Sequence, residues 1–321
     1  MSDMPGEAVF AFFPLWPLII RGLSSATLGV IQPAIAGIFL SWLCLCGFAE
    51  LLRHHISKSD LLLRPSRFSL ILFFFSPGSW VFATNHTEGL FLLLSAVTLL
   101  TPAFNPRPSG RLYAASAAGL AALTRNQGVL LIITSLAGMV STIAARKNPR
   151  LWSQMFVFAL VAGLIYSVWP FAQWYLTGNP LKGRAVQAYW SMASSPAEYL
   201  SNALWLSPNN IFRALLFWGG LGTSLQLMRQ AQTRPLGLYC FLSLGLLPLQ
   251  GNNFPQAYRF SAVLFPAWFA FGDGLLKGLD RAKVGLPIKA LFLCVMLALV
   301  VGGGFANALH YWRQTKDTWP Y

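Results

Sequence analysis

About ten apolar runs follow one another with only short polar turns between them, and this succession constrains the fold more than any single motif. They lie near 31–52, 68–84, 88–104, 112–124, 128–144, 151–171, 209–228, 235–250, 260–276 and 286–306. A helix needs about 20 residues, rising about 1.5 Å each, to cross a hydrocarbon core. Backbone N–H and C=O groups have no water to bond there, so spans of this length are helical. The expected fold is therefore all-α: a polytopic transmembrane helix bundle of about ten spans, forming one domain over residues 1–321. Several runs are shorter than a full crossing, which predicts paired short helices lining a wet cavity. Composition agrees, since 55% of residues are hydrophobic and 10% charged, where a soluble domain carries about 25% charged residues.

The segment ahead of these runs, residues 8–24, is broken by Pro14 and Pro17 and closed by Arg21, which suits a short interfacial or re-entrant helix. The net charge of +14 would suggest nucleic acid in a soluble chain, but here it sorts by loop. The loop after residue 52 carries Arg53, Lys58, Arg64 and Arg67. Alternation puts 105–111, 145–150, 229–234 and 277–285 on the same side, adding Arg107, Arg111, Arg146, Lys147, Arg150, Arg229, Arg234, Lys277, Arg281 and Lys283. Basic residues on the other side are fewer and thinly spread, as the positive-inside rule requires, so the charge is topological and nucleic acid is not an expected partner. The chain reads as an integral, multi-pass membrane protein, with a bacterial inner membrane favoured and the ER membrane expected if it is eukaryotic. The same alternation leaves the N-terminus outside, which leads to the expectation of a further spanning helix ahead of Met1. Asp3 and Glu7 stand where a signal peptide would be basic.

Several familiar chemistries find no support. Cys44, Cys46, Cys240 and Cys294 fall inside apolar runs without metal-ligand spacing and read as small core hydrophobes. There is no Walker loop, dinucleotide fingerprint or HExxH, and Gly302-Gly303-Gly304 inside an apolar run signals close helix packing. His54 and His55, in the basic loop, are expected to face solvent.

The polar turns on the opposite side hold more chemistry than connections need. Asn85-His86-Thr87-Glu88 forms a tight hairpin between two expected spanning helices and puts a carboxylate at the mouth of a long apolar run. A bare charge at that depth is costly and is usually kept for function. His86 beside it reads as a bystander rather than a base. Thr124-Arg125-Asn126-Gln127-Gly128 holds a guanidinium at bilayer depth, which either pairs with an acid or an anionic ligand, or snorkels to lipid phosphate. Between Gln250 and Phe260, the amides with Tyr258 and Arg259 suit sugar hydroxyls and a phosphate, or simply make a turn with Arg259 at its boundary. Residues 173–210, rich in Trp and Tyr, are the one outer loop long enough to fold over a site. Glu88, Arg125 and Arg259 are expected to converge in one hydrated pocket.

Three stretches share an order with a known family: Phe12-Phe13-Pro14-Leu15-Trp16-Pro17-Leu18-Ile19-Ile20-Arg21, Glu88-Gly89-Leu90-Phe91, and Ala122-Leu123-Thr124-Arg125-Asn126-Gln127-Gly128. With Gly178-Asn179-Pro180-Leu181, Gln187, Trp190 and Tyr258-Arg259-Phe260, the chain resembles the PIG-V-like mannosyltransferases of the GT-C membrane superfamily. The resemblance implies a multi-pass inverting transferase that moves mannose from a polyprenyl-phosphate donor to a lipid-linked or glycan acceptor on the luminal or periplasmic side. In eukaryotic members the acceptor is a GPI-anchor precursor. It also implies a carboxylate base on the acceptor and cationic or divalent-metal help for the departing phosphate. No metal ligands are assigned. Glu88 is the catalytic candidate, orienting or polarising the acceptor. Arg125 and Arg259 would hold the donor phosphate, and Asn126, Gln187 and Asn253 would contact sugar hydroxyls. One departure stands out: the Trp-Asp pair expected upstream of the Phe-Phe-Pro motif occurs nowhere in this sequence. That absence keeps a noncatalytic accessory protein of the same fold as the main alternative. A secondary transporter, which should show an inverted repeat and mid-bilayer charges, is the second.

Overall fold

Prolines, glycines and short polar turns decide where each apolar run is cut. The computed structural model describes residues 13–58, 64–76, 78–104, 107–146, 150–188, 211–247 and 257–318, with 195 and 197 besides. Among these, all regular structure is helical: α1 (Leu15–Ala26), α2 (Pro33–Lys58), α3 (Arg67–Phe74), a 3-10 turn (Ser79–Ala83), α4 (Glu88–Phe104), α5 (Pro108–Ala122) and α6 (Gln127–Arg146). There follow α7 (Arg150–Thr177), α8 (Lys182–Ala188), α9 (Ile211–Met228), α10 (Arg234–Gly245), α11 (Ala257–Ala262), α12 (Phe265–Arg281) and α13 (Leu286–Thr318).

Three stretches are long and apolar enough to cross a membrane, Pro33–Ile56, Leu151–Thr177 and Leu286–Gly303, and Glu88–Pro102 and Gln127–Ser141 are shorter apolar helices. The chain is thus a membrane protein. α1 is a short helix that begins after Pro14, carries Pro17 in its first turn and runs on past Arg21. The run 68–84 does not form the spanning helix expected before Glu88. It breaks after α3 and resumes only as the 3-10 turn, because Pro77 and Gly78 interrupt it and proline removes a donor and disfavours helix in the residue before it. The run 260–276 is likewise split, with Pro266 placed in the first turn of α12.

α5 is the central element. Gly110, Ala114, Ala115, Ala117, Ala118, Gly119, Ala121 and Ala122 are all buried along it, and α4, α6 and α7 pack around it. Lipid tails are as apolar as leucine, so helices associate in a bilayer by close van der Waals contact, which small residues allow. At Gly119 a Cβ would lie 2.7 Å from Ile165 Cβ and 3.0 Å from the Ala162 carbonyl oxygen, so α7 rests directly on the α5 backbone. Beside this small-residue seam sits an aromatic one. Phe48, Phe73, Phe265 and Phe269 meet at centroid distances of 5.4–5.7 Å, joining α2, α3 and α12. Edge-to-face contacts of this kind contribute about 0.5–1.5 kcal/mol each beyond burial. α3 is fixed at its start by Asp273 of α12, which accepts from Ser66 N at 3.0 Å and from Ser69 Oγ at 2.5 Å.

Three expectations about individual side chains are corrected. Cys44 and Cys240 are buried, but Cys46 and Cys294 are exposed, because an apolar run in a membrane protein has a lipid-facing side as well as a core side. His55 is fully buried rather than solvent-facing. Gly302 packs against nothing, since a Cβ there would have no neighbour within 4 Å. α13 is exposed along most of its apolar length instead of being seated in the bundle.

Candidate active site

The turns at one end of α2, α4 and α5 are drawn together by small residues and backbone hydrogen bonds. Ser41 of α2 donates from Oγ to the carbonyls of Thr84 at 2.8 Å and His86 at 3.3 Å, which pins the hairpin ahead of α4 to the side of α2. Gly89 follows, where an added Cβ would come 3.1 Å from the Ser41 carbonyl oxygen. One turn earlier on α2, Gly37 leaves room for the Asn85 side chain; a Cβ there would overlap Asn85 Oδ1 at 1.9 Å. Asn85 Oδ1 accepts from Trp16 Nε1 at 3.1 Å, and Leu15 N donates to Leu123 O at 3.2 Å. α1 is thereby docked onto both the hairpin and the end of α5.

The α5–α6 turn is equally tight. Arg125 N donates to Ala121 O at 3.1 Å and Gly128 N to Arg125 O at 2.9 Å. A Cβ on Gly128 would fall 2.3 Å from the Ala121–Ala122 backbone, so only glycine fits where α6 starts against α5. This geometry turns the Arg125 side chain inward, 5.9 Å over the Phe91 ring of α4.

Glu88, in the first turn of α4, is fully buried, and both arginines reach it. Arg125 Nη1 and Arg259 Nε each contact Glu88 Oε1, while Thr87 Oγ1 lies 3.4 Å from Oε2. Their side-chain exposures differ in a way that matters: Arg125 is 7% exposed and Arg259 24%. Arg259 is the arm of the triad that reaches outward. Burying a lone ion costs several kcal/mol, and only mutual pairing offsets it. One carboxylate against two guanidiniums leaves one unit of positive charge in the cluster.

His86 lies alongside. Its Nδ1 is 2.7 Å from Thr84 Oγ1 and its ring stands edge-on to Trp80 at 5.5 Å. Burial, together with the cations of Arg259 and Arg125 acting against Glu88, pushes this imidazole down to about 4, so it is neutral at physiological pH.

Of the residues singled out in the sequence, Glu88, Arg125 and Arg259 are brought together. Asn126 is exposed on the same turn as Arg125. Gln187 belongs to α8, which Gly178, at φ +71°, and Asn179 turn away from α7; its side chain lies outside the described residues, as does Asn253. Within 173–210, residues 173–177 continue α7 and Lys182–Ala188 form α8. Gln173 Oε1 accepts from Gly183 N at 2.7 Å and locks that corner. Sequence reading missed Gly37, Ser41 and the Trp16–Asn85 bond. Trp16 stood in the Phe-Phe-Pro stretch and Asn85 beside Glu88, but nothing in their spacing links them across 69 positions. No group of three His, Cys, Asp or Glu able to hold a metal occurs among the described residues. The one carboxylate of the described cluster is already taken by guanidiniums.

Searches of curated proteins and of solved structures gave no match. The family pattern described as Mannosyltransferase (PIG-V) matches residues 5–200. That span takes in the Trp16, Asn85, Glu88 and Arg125 parts of the site, with Arg259 contributed from beyond it. On this match, which covers more than half of its length, the chain belongs to the mannosyltransferase (PIG-V) family.

Proposed function

We propose that this protein is a GT-C-type membrane glycosyltransferase of about ten crossings, moving mannose or a related hexose from a polyprenyl-phosphate donor to a lipid-linked or glycan acceptor on the outer face. Family membership supports mannosyl transfer as the class of activity. One observation carries the assignment of the site: the buried triad has a surplus positive charge, and its outward arm is Arg259. A guanidinium fork matches the geometry of a phosphate, and a cation fixed in low dielectric stabilises the charge that develops on a leaving phosphate.

In this reading Arg259 contacts the donor phosphate, and Arg125 adds its charge from behind. The acceptor hydroxyl attacks the anomeric carbon, the bond from that carbon to the phosphate oxygen breaks, and the lipid phosphate leaves carrying the electron pair. Glu88 is a positioning residue for the two arginines, rather than the group that orients or polarises the acceptor. Its Oε1 is occupied by both guanidiniums, and its place in the first turn of α4 holds them in register. The acceptor proton goes to a different carboxylate, with Asp3 and Glu7, next to the Phe12–Arg21 stretch, as the candidates on this chain.

A second reading has a specific observation behind it. Glu88 is fully engaged by two guanidiniums, which favours a subunit that binds the lipid carrier without transferring sugar. The deciding experiment uses the full chain in lipid nanodiscs with polyprenyl-phosphate [14C]mannose and membrane-extracted acceptor. Labelled product that disappears in Arg259→Met, with donor affinity reduced about tenfold or more by loss of a charged hydrogen bond, supports the transferase. Donor binding without product supports the carrier-binding subunit. Donor binding unchanged by Arg259→Met removes the triad from the site in either case.

A further inference from the structure

The other end of α5 carries a cavity that the proposed transfer leaves unused. It opens between α5 and α7, measures about 330 Å3, and is lined by Arg111, Leu112, Ser153, Gln154, Val157 and Phe158. From Arg111 to the end of α5 at Ala122 is roughly 17 Å of helix, so the cavity and the triad occupy opposite ends of the same element.

Three features of the wall specify a ligand. Arg111 supplies a guanidinium suited to phosphate. Gln154 Oε1 is a buried acceptor with no hydrogen-bond partner among the described residues, a state that is costly unless a donor arrives. The rim is apolar and faces outward: Leu112 is 44% and Val157 46% exposed, and Tyr113, Trp152 and Phe156 project from the same two helices. In a membrane protein such a rim meets acyl chains, and Trp and Tyr collect at headgroup depth. Arg107, at the cap of α5 beside the cavity, adds a cation that draws anionic lipid to this end.

We propose that the α5–α7 cavity binds the headgroup of a glycerophospholipid that carries its own hydrogen-bond donor. Its phosphate lies on Arg111, a headgroup hydroxyl or primary ammonium donates to Gln154 Oε1, and the acyl chains run along Leu112 and Val157. A choline headgroup has no N–H or O–H and meets only the phosphate half of the site. The inference is independent of mannosyl transfer, since it uses no residue of the triad.

The test is lipid retention by the full chain, purified in detergent and followed by native mass spectrometry and thermal unfolding. Phosphatidylglycerol, phosphatidylethanolamine and phosphatidylcholine of matched chains are compared. Wild type should retain the first two about tenfold more strongly than phosphatidylcholine, the worth of one well-made hydrogen bond. Gln154→Leu should abolish that preference, and Arg111→Gln should weaken all three. Millimolar inorganic phosphate should not displace the lipid. Equal retention of phosphatidylcholine by wild type overturns the proposal, as does displacement by inorganic phosphate, which would make this a simple anion site. The wild-type comparison decides even if a variant fails to fold.

Discussion

Two Glu–Arg contacts in this protein use the same functional groups and differ in almost everything else. On α2, Glu50 and Arg53 sit three residues apart with side chains 62% and 72% exposed, joined by two hydrogen bonds of 2.6 and 2.7 Å. At the other end of the bundle, Glu88 is fully buried and is shared by arginines from two distant parts of the chain. The exposed pair can break and let water replace each partner, so it contributes little. In the triad Glu88 cannot leave without stranding both guanidiniums, because the surroundings offer no substitute solvation. Good hydrogen-bond geometry is therefore a poor guide to importance; the environment decides.

The largest expected effect comes from breaking the buried cluster at its hub. Glu88→Gln leaves two guanidiniums uncompensated and should cost about 3–5 kcal/mol, seen as a lower unfolding midpoint and loss of monodisperse protein on size exclusion. The triple variant Glu88→Leu, Arg125→Met, Arg259→Leu removes the charges together and should recover much of the folded yield while donor binding stays absent. Recovery of binding would show that the triad is structural only.

Next comes acid. The His86 imidazole is held near 4 in the fold, against about 6.5 in an unfolded chain, so the unfolded state binds more protons between those values. Stability is then full above about pH 6.5, falls as pH drops toward 4, and levels off below. The loss is at most about 3 kcal/mol. His86→Gln should flatten this part of the midpoint-versus-pH curve, and an unchanged slope would show that another group sets the acid limit.

Gly128→Ala forces a methyl into the α5–α6 turn and should cost about 1–3 kcal/mol by overpacking. It should also shift Arg125, so donor affinity should fall along with the unfolding midpoint. The smallest effect is expected at the exposed pair. Arg53→Gln should leave the midpoint unchanged within error at moderate salt, and a clear drop would mean that exposure does not separate the two contacts.

The helical class, the membrane setting and the positions of most helix boundaries follow from the sequence alone, because a bilayer leaves an apolar run few alternatives to a helix. α4 begins at Glu88, the residue that opens its run, and α13 begins at Leu286, where its run begins. Hydropathy alone extends 68–84 too far, because Pro77 and Gly78 outweigh it. It also misplaced Cys46, Cys294 and Gly302, since an apolar run does not state which side faces lipid. That Glu88 needed a partner, and that Arg125 needed an acid or an anion, was legible as an electrostatic demand. That Glu88, Arg125 and Arg259 would converge was expected too; that they would pair with one another, rather than each facing a ligand, was not.

Only the tertiary structure decided that one carboxylate serves two arginines, that Arg259 is the arm left facing outward, and that Trp16 and Asn85 hold the assembly in place. The physical reason is range. Hydropathy and helix breaking act between neighbours along the chain, whereas Glu88 and Arg259 stand 171 residues apart, and the close approaches at Gly37, Gly89 and Gly128 that seat Glu88 and Arg125 are likewise contacts between separate elements.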